Sequence, residues 1–148
     1  MSAQKQPVFA EDSPVLRPGV YTPAVVANGL VFVSGILGVD PMTRKMVKGI
    51  MVDRFHQIMR NLTAVLERAG SNIESVVDVT VFLDDIDNAD LLTPAYLEYW
   101  GDVKPARACV AVKALPYGSD IEIKCVALVA PPTPYEDTMK HIARLASL

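Results

Sequence analysis

Ala24-Val25-Val26-Ala27-Asn28-Gly29-Leu30-Val31-Phe32-Val33 is the stretch whose reading decides the fold of this chain. Two four-residue apolar runs flank Asn28-Gly29, the dipeptide that best tolerates the left-handed backbone of a type I′ turn, so the stretch predicts a β-hairpin. Toward the N-terminus, residues 1–14 are mostly polar, with Val8-Phe9 as a short edge strand. Toward the C-terminus, Asp40-Pro41 and the cations Arg44, Lys45 and Lys48 read as a solvated loop.

Beyond that loop the apolar period changes from two to 3.6. Met51, Phe55, Ile58, Leu62 and Val65 fall on one stripe, widened by Met59 and Leu66, which predicts a core-docking helix over 50–69 stopped by Gly70. Its Asn61-Leu62-Thr63 matches a glycosylation sequon, which mid-helix is accidental. Residues 75–83 form a β-rich strand. Asp84, Asp85, Asp87 and Asp90 then cluster ahead of a second helix; they lack the glycine and distal glutamate of a calcium loop and suit a helix N-terminus. That helix carries Ala95, Tyr96, Leu97, Tyr99 and Trp100 and ends at Gly101. Pro94 belongs in a first turn, which makes Thr93 the expected N-cap. Strands follow over 106–112 and 121–129. The expected organisation is a single α+β domain over 1–130, one sheet with two long helices on one face. A Pro-rich linker and a C-terminal helix packed on the body complete it over 131–148. Thr133-Pro134-Tyr135-Glu136 reads as that helix's capping box and Tyr135, Met139, Ile142 and Leu145 as its apolar stripe.

The chain has 148 residues, 51% hydrophobic and 21% charged, as expected of one globular domain. A net charge of −3 opposes a nucleic-acid surface. Cys109 and Cys125 form no disulfide framework or zinc motif, and His56 and His141 are far apart, so no metal site is expected. Residues 29–39, the most apolar stretch, are too short to span a bilayer, and the first residues lack the apolar core of a signal peptide; the expected compartment is the cytoplasm. The strands are apolar at nearly every position, the pattern of a sheet buried on both faces. Two helices cover one face, so the other calls for association into a homo-oligomer.

Two charges interrupt those strands. In Pro105-Ala106-Arg107-Ala108-Cys109-Val110-Ala111-Val112, alternation puts Arg107 among small and apolar neighbours. An arginine so placed needs an anionic partner, either a local carboxylate or a substrate carboxylate gripped by its two-pronged guanidinium. Glu122 stands between Ile121 and Ile123, with Lys124 on its face. If the last two strands pair as a hairpin, Glu122 falls near Arg107. That arrangement is either a plain ion pair or an anion receptor beside a carboxylate that orients water, with the glutamate's pKa depressed by the cation.

Gly19-Val20-Tyr21, Asn28 to Gly35, Asn61-Leu62 with Ala69-Gly70, Val79-Thr80-Val81-Phe82-Leu83, Pro105 to Val110, Leu115-Pro116 and Ile121-Glu122-Ile123 occur in an order and spacing that resemble the reactive intermediate deaminase (Rid, or YjgF) family over residues 7 to 130. The resemblance implies a chorismate-mutase-like fold whose sheets form the central barrel of a homotrimer, with sites in clefts between subunits. It implies cofactor-free hydrolysis of 2-imino or enamine acids to 2-oxo acids and ammonia. Arg107 would bind the substrate carboxylate and Glu122 would orient the attacking water. Tyr21, Ser34, Gly35, Thr93 and Cys109 would line the pocket. Ile36, Thr93, Ala108 and Lys124 depart from the family pattern, and Lys124 opens the option of a dicarboxylate such as 2-aminomuconate. Other readings are a non-catalytic or chaperone-like trimer that binds small carboxylates, and the translation-inhibitor or ribonuclease activity attributed to some relatives, which the pI of 5.3 opposes.

Overall fold

The computed structural model of the protein describes residues 4–130 and 134–147. Six strands, β1 (Gln6–Val8), β2 (Ala24–Ala27), β3 (Leu30–Ile36), β4 (Val76–Leu83), β5 (Ala106–Ala111) and β6 (Ile121–Leu128), form one sheet in the order β1-β2-β3-β6-β4-β5. Helices α1 (Met51–Arg68) and α2 (Asn88–Tyr96) pair with each other, and α1 lies against β3 and β6. A third helix, α3, spans Pro134–Ala146.

The hairpin forms as its turn chemistry dictates, with Asn28 at φ 51° and Gly29 at φ 76° and Ala27 opposite Leu30. The expected N-terminal edge strand pairs with β2 but lies slightly earlier, ending at Val8. In α1 the sequence stripe is the buried face: Phe55, Ile58, Met59, Leu62, Val65 and Leu66 are fully buried against Val79, Val81, Leu83, Ile121, Ile123 and Ala127 of the sheet. Gly70, at φ 76°, ends the helix. Asn61 is buried, and its amide donates to the carbonyls of Leu37 (3.2 Å) and Val39 (2.8 Å), so it anchors the chain leaving β3.

Three expectations need correction. First, β5 and β6 do not pair; β4 lies between them, parallel to β5 and antiparallel to β6. The crossover through α2 makes β4 and β5 parallel neighbours, and β6 then fills the gap between β3 and β4. Second, Thr93 does not cap α2. The helix starts at Asn88 after Asp87, so Pro94 sits within it and Thr93 Oγ1 donates to the Ala89 carbonyl one turn back (3.0 Å). Acidic side chains gather at that N-terminus, as the aspartate cluster implied, although the N-cap Asp87 makes no side-chain capping bond: Asp90 lies in the first turn of the helix and Asp85 Oδ1 in the loop accepts from the Asp87 N–H (2.9 Å). Third, Arg107 and Glu122 do not meet within the chain, because β4 separates the strands that carry them.

One face of the sheet is covered by α1 and α2. The other presents Phe32 (44% exposed), Val77 (40%), Val110 (43%) and Leu128 (50%) to solvent in the single chain. Met139, Ile142 and Leu145 of α3 are exposed, so the stripe expected of that segment faces solvent; Pro131, Pro132 and Thr133, the expected linker and cap, lie outside the described residues. No helix among the described residues is long and apolar enough to cross a membrane.

Candidate active site

A break in strand register builds the site. Val33 pairs with Cys125 and Ile36 with Ile123, so Ser34 and Gly35 on β3 together oppose Lys124 alone on β6. Such a bulge bends a strand and re-aims its side chains, and bulges concentrate beside active sites. Here it brings the backbone of Gly35 under Glu122: a Cβ at position 35 would overlap Glu122 Oε1, so the glycine is required by the carboxylate above it.

Around this bulge lies a cavity of about 330 Å³ lined by Tyr21, Ser34, Gly35 and Glu122, with Arg17, Lys124 and Tyr117 at its wall. The sequence-derived residues Tyr21, Ser34, Gly35 and Glu122 are therefore brought together. Ser34 Oγ donates to the Thr22 carbonyl (2.6 Å) and Tyr21 Oη accepts from the Leu16 N–H (3.2 Å), which fix the wall. Burial raises the pKa of Glu122 above the usual carboxylate value, opposite to the depression expected from a neighbouring arginine.

The remaining three residues stand elsewhere. Arg107 registers with Val79 and shares its helix-covered side, whereas Glu122 registers with Phe82 and faces the open side. With β4 between them, the two are about 10 Å apart across the sheet and about 10 Å along it, on opposite faces. Arg107, exposed on the edge strand, lays its guanidinium 4.9 Å from the centre of the Tyr96 ring. Among the described residues no carboxylate lies within salt-bridge distance of it, and Arg54–Asp120 is the only such pair. Cys109, half-buried, follows on the same side of β5, and Thr93 is exposed on α2 one turn before Tyr96. The Tyr96 hydroxyl is buried without a hydrogen-bond partner among the described residues, and burial raises its pKa against the opposing field of Arg107.

Sequence reading missed Arg17, Tyr117 and Tyr96. Arg17 and Tyr117 lie in loops whose positions depend on long-range packing. Tyr117 adopts φ 58°, a costly conformation for a bulky residue that sequence does not announce. Tyr96 has the spacing of a core residue and is one. No group of three or more metal-ligating side chains occurs among the described residues.

Taken together, these features define a class: an α+β domain with a mixed sheet, helices on one face, and a small carboxylate-bearing cavity at a bulge on the other. The chain belongs to the family described as Endoribonuclease L-PSP, which includes the YjgF and RidA proteins; the family's model matches residues 15–129. It is 38% identical over 124 residues to a RutC family protein of Pyrococcus horikoshii, covering 83% of this chain and 97% of that one. It is 36% identical over 115 residues to the human 2-iminobutanoate/2-iminopropanoate deaminase, covering 78% and 84%. Among solved structures it is similar to RidA from an Antarctic Psychrobacter (TM-score 0.79, 31% identity, 84% and 99% covered). The YjgF gene product of E. coli gives a TM-score of 0.77 at 27% identity, with 84% and 99% covered.

Proposed function

We propose that the protein hydrolyses reactive 2-imino and enamine acids to 2-oxo acids and ammonia, in clefts where Glu122 of one copy meets Arg107 of another within a homotrimer. The observation that carries this reading is the division of the site residues. A carboxylate that makes no ion pair among the described residues lies in a cavity on one side of the sheet, and an arginine with no carboxylate within salt-bridge distance among the described residues stands at the edge on the other. Neither group is paired among the described residues, so each is available to its counterpart on another copy. The exposed apolar face around Phe32, Val110 and Leu128 supplies the contact surface that would join copies. The deaminase names of relatives at similar identity support the same chemistry.

The reaction asks little of the protein beyond positioning. Arg107 grips the substrate carboxylate bidentately. The protonated imine carbon is already electrophilic. Glu122 accepts a hydrogen bond from a water, which attacks that carbon while its proton passes to the carboxylate. The proton then reaches the amino nitrogen of the tetrahedral carbinolamine; the C–N bond breaks as the carbonyl forms, Glu122 takes the carbinolamine hydroxyl proton, and the departing ammonia carries that proton away as ammonium. A carboxylate with a raised pKa suits this shuttling better than a strongly acidic one.

The test is to generate 2-iminobutanoate in situ with an amino-acid dehydratase and follow its decay. Acceleration by the protein, abolished in Arg107→Ala and in Glu122→Gln, is the expected result. No acceleration, or equal acceleration by Arg107→Ala, overturns the reading.

A further inference from the structure

The cavity that holds Glu122 carries more positive charge than a monocarboxylate needs. Its wall includes two cations, Arg17 and Lys124, and among the described residues Glu122 is the only acidic one lining it. Neither cation has a carboxylate within salt-bridge distance among the described residues. Lys124 is placed by the bulge itself, because it is the single residue on β6 that opposes Ser34 and Gly35. Arg17 sits in a turn closed by the Val20 N–H donating to its carbonyl (3.1 Å), next to Leu16, whose N–H donates to the Tyr21 hydroxyl. Both cations are thus held to the cavity by the elements that position Gly35 and Tyr21.

Counting charges decides what such a site prefers. With Glu122 ionised, Arg17 and Lys124 leave the cavity at +1, and Arg107 from a second copy brings the cleft to +2. A protonated imine with one carboxylate is neutral overall and leaves that +2 uncompensated. A protonated imine with two carboxylates carries −1 and halves it. Opposite charges a few ångströms apart near a protein surface attract strongly enough that one charge sets a preference.

We infer that the substrate bears a second carboxylate on its side chain, held by Lys124 and Arg17 while Arg107 of another copy holds the first. The inference rests on the deaminase reading for its reaction and on the cavity alone for its ligand class, so the two are tested separately. Imines are generated by amino-acid oxidases from glutamate and from alanine, and kcat/KM is compared. The expected result is about a tenfold preference for the imine of glutamate, the size of one charge-assisted contact. Lys124→Met is expected to lower kcat/KM for the dicarboxylate five- to tenfold more than for the alanine imine, Arg17→Gln similarly, and Lys124→Arg is expected to retain the preference. In parallel, binding of 2-oxoglutarate and 2-oxobutanoate is measured by calorimetry.

Hydrolysis of the alanine imine with no preference for the dicarboxylate overturns this inference and leaves the deaminase reading standing. No hydrolysis of either imine, with 2-oxoglutarate bound more tightly in a Lys124-dependent way, overturns the deaminase reading and leaves the anion site standing. Loss of the trimer in Lys124→Met and Lys124→Arg alike, with no change in ligand preference, assigns Lys124 to the contact between copies and overturns the inference. Failure of both oxo acids to bind also overturns it.

Discussion

Glu122 occupies the space that a side chain at Gly35 would need: the carboxylate rests directly over the glycine's backbone, and any Cβ there would overlap its Oε1. Gly35 has no positive φ, so its backbone accepts alanine, and the obstacle is the tip of a flexible side chain. Gly35→Ala therefore moves the carboxylate while sparing the fold. We expect kcat/KM to fall by about 10²-fold, the effect of displacing a positioned group by roughly 1 Å, with thermal stability nearly unchanged. Steady-state kinetics and a melting curve on the same preparation check this. Wild-type activity in Gly35→Ala would mean that the position of Glu122 does not matter.

The electrostatic state of Glu122 tests whether Arg107 reaches it. In the single chain burial raises its pKa. In an assembled cleft, Arg107 of another copy would pull it back down. Arg107→Met is therefore expected to raise the Glu122 pKa relative to wild type, as read by carboxyl carbon-13 NMR titration. The stability consequence has a definite sign. In that variant, between the ordinary carboxylate value and the raised one, the folded state keeps a proton that the unfolded state has released, so stability falls as pH rises through this window. Adding Glu122→Gln removes the slope. Identical Glu122 titration in wild type and Arg107→Met would separate the two residues for good.

Assembly is open to a single charge. Phe32 sits mid-strand on the uncovered face, directly opposite Val126, and is 44% exposed in the single chain. A buried, unpaired charge at an interface costs several kcal/mol, whereas the same charge on a free surface costs little. Phe32→Glu is expected to convert a particle of about three times 16.1 kDa to one of 16.1 kDa by light scattering. Deaminase activity is expected to vanish with it, because the two half-sites part. A wild type that is already monomeric would remove the cleft between copies and the proposed chemistry with it.

Local signals in the sequence were readable, and long-range ones were not. Asn28-Gly29 announces its own turn, and the stripe from Met51 to Leu66 announces its buried face, because both depend on neighbours in the chain. Arg107 and Glu122 stand out because a charge within an apolar strand is conspicuous in any fold. Their relation was not readable. It depends on β6 inserting between β3 and β4, and residues 112–120 fit a hairpin loop as well as a crossover. The bulge at Ser34-Gly35 is equally silent, since alternation runs through it without a visible break. Pro94 misled for a related reason: proline's rule is strong, yet the core contacts of Leu92, Ala95 and Tyr96 hold α2 across it.

A side-chain clamp holds the start of β6 in place. Arg54 on α1 grips Asp120 with two hydrogen bonds, Nε to Oδ1 at 2.6 Å and Nη2 to Oδ2 at 2.5 Å. Its Nη1 also donates to the carbonyls of Gly49 (2.9 Å) and Val47 (3.3 Å), and the Asp120 carbonyl accepts from the Asp84 N–H (3.2 Å). Hydrogen bonding to the Asp120 carboxylate raises the arginine's pKa, so the guanidinium stays charged at every accessible pH. Asp120 immediately precedes β6 and lies two residues before Glu122, so this clamp ties α1 and the β4 end to the strand that carries the carboxylate. Side-chain exposures of 15% and 20% put the pair between surface and buried cases. Arg54→Met leaves Asp120 largely unpaired, and we expect it to cost about 2–3 kcal/mol in urea unfolding. Arg54→Lys cannot reproduce the two-pronged contact and is expected to recover less than half of that. If Arg54→Met unfolds at the wild-type urea concentration, the clamp contributes nothing, and the placement of Glu122 rests on strand pairing alone.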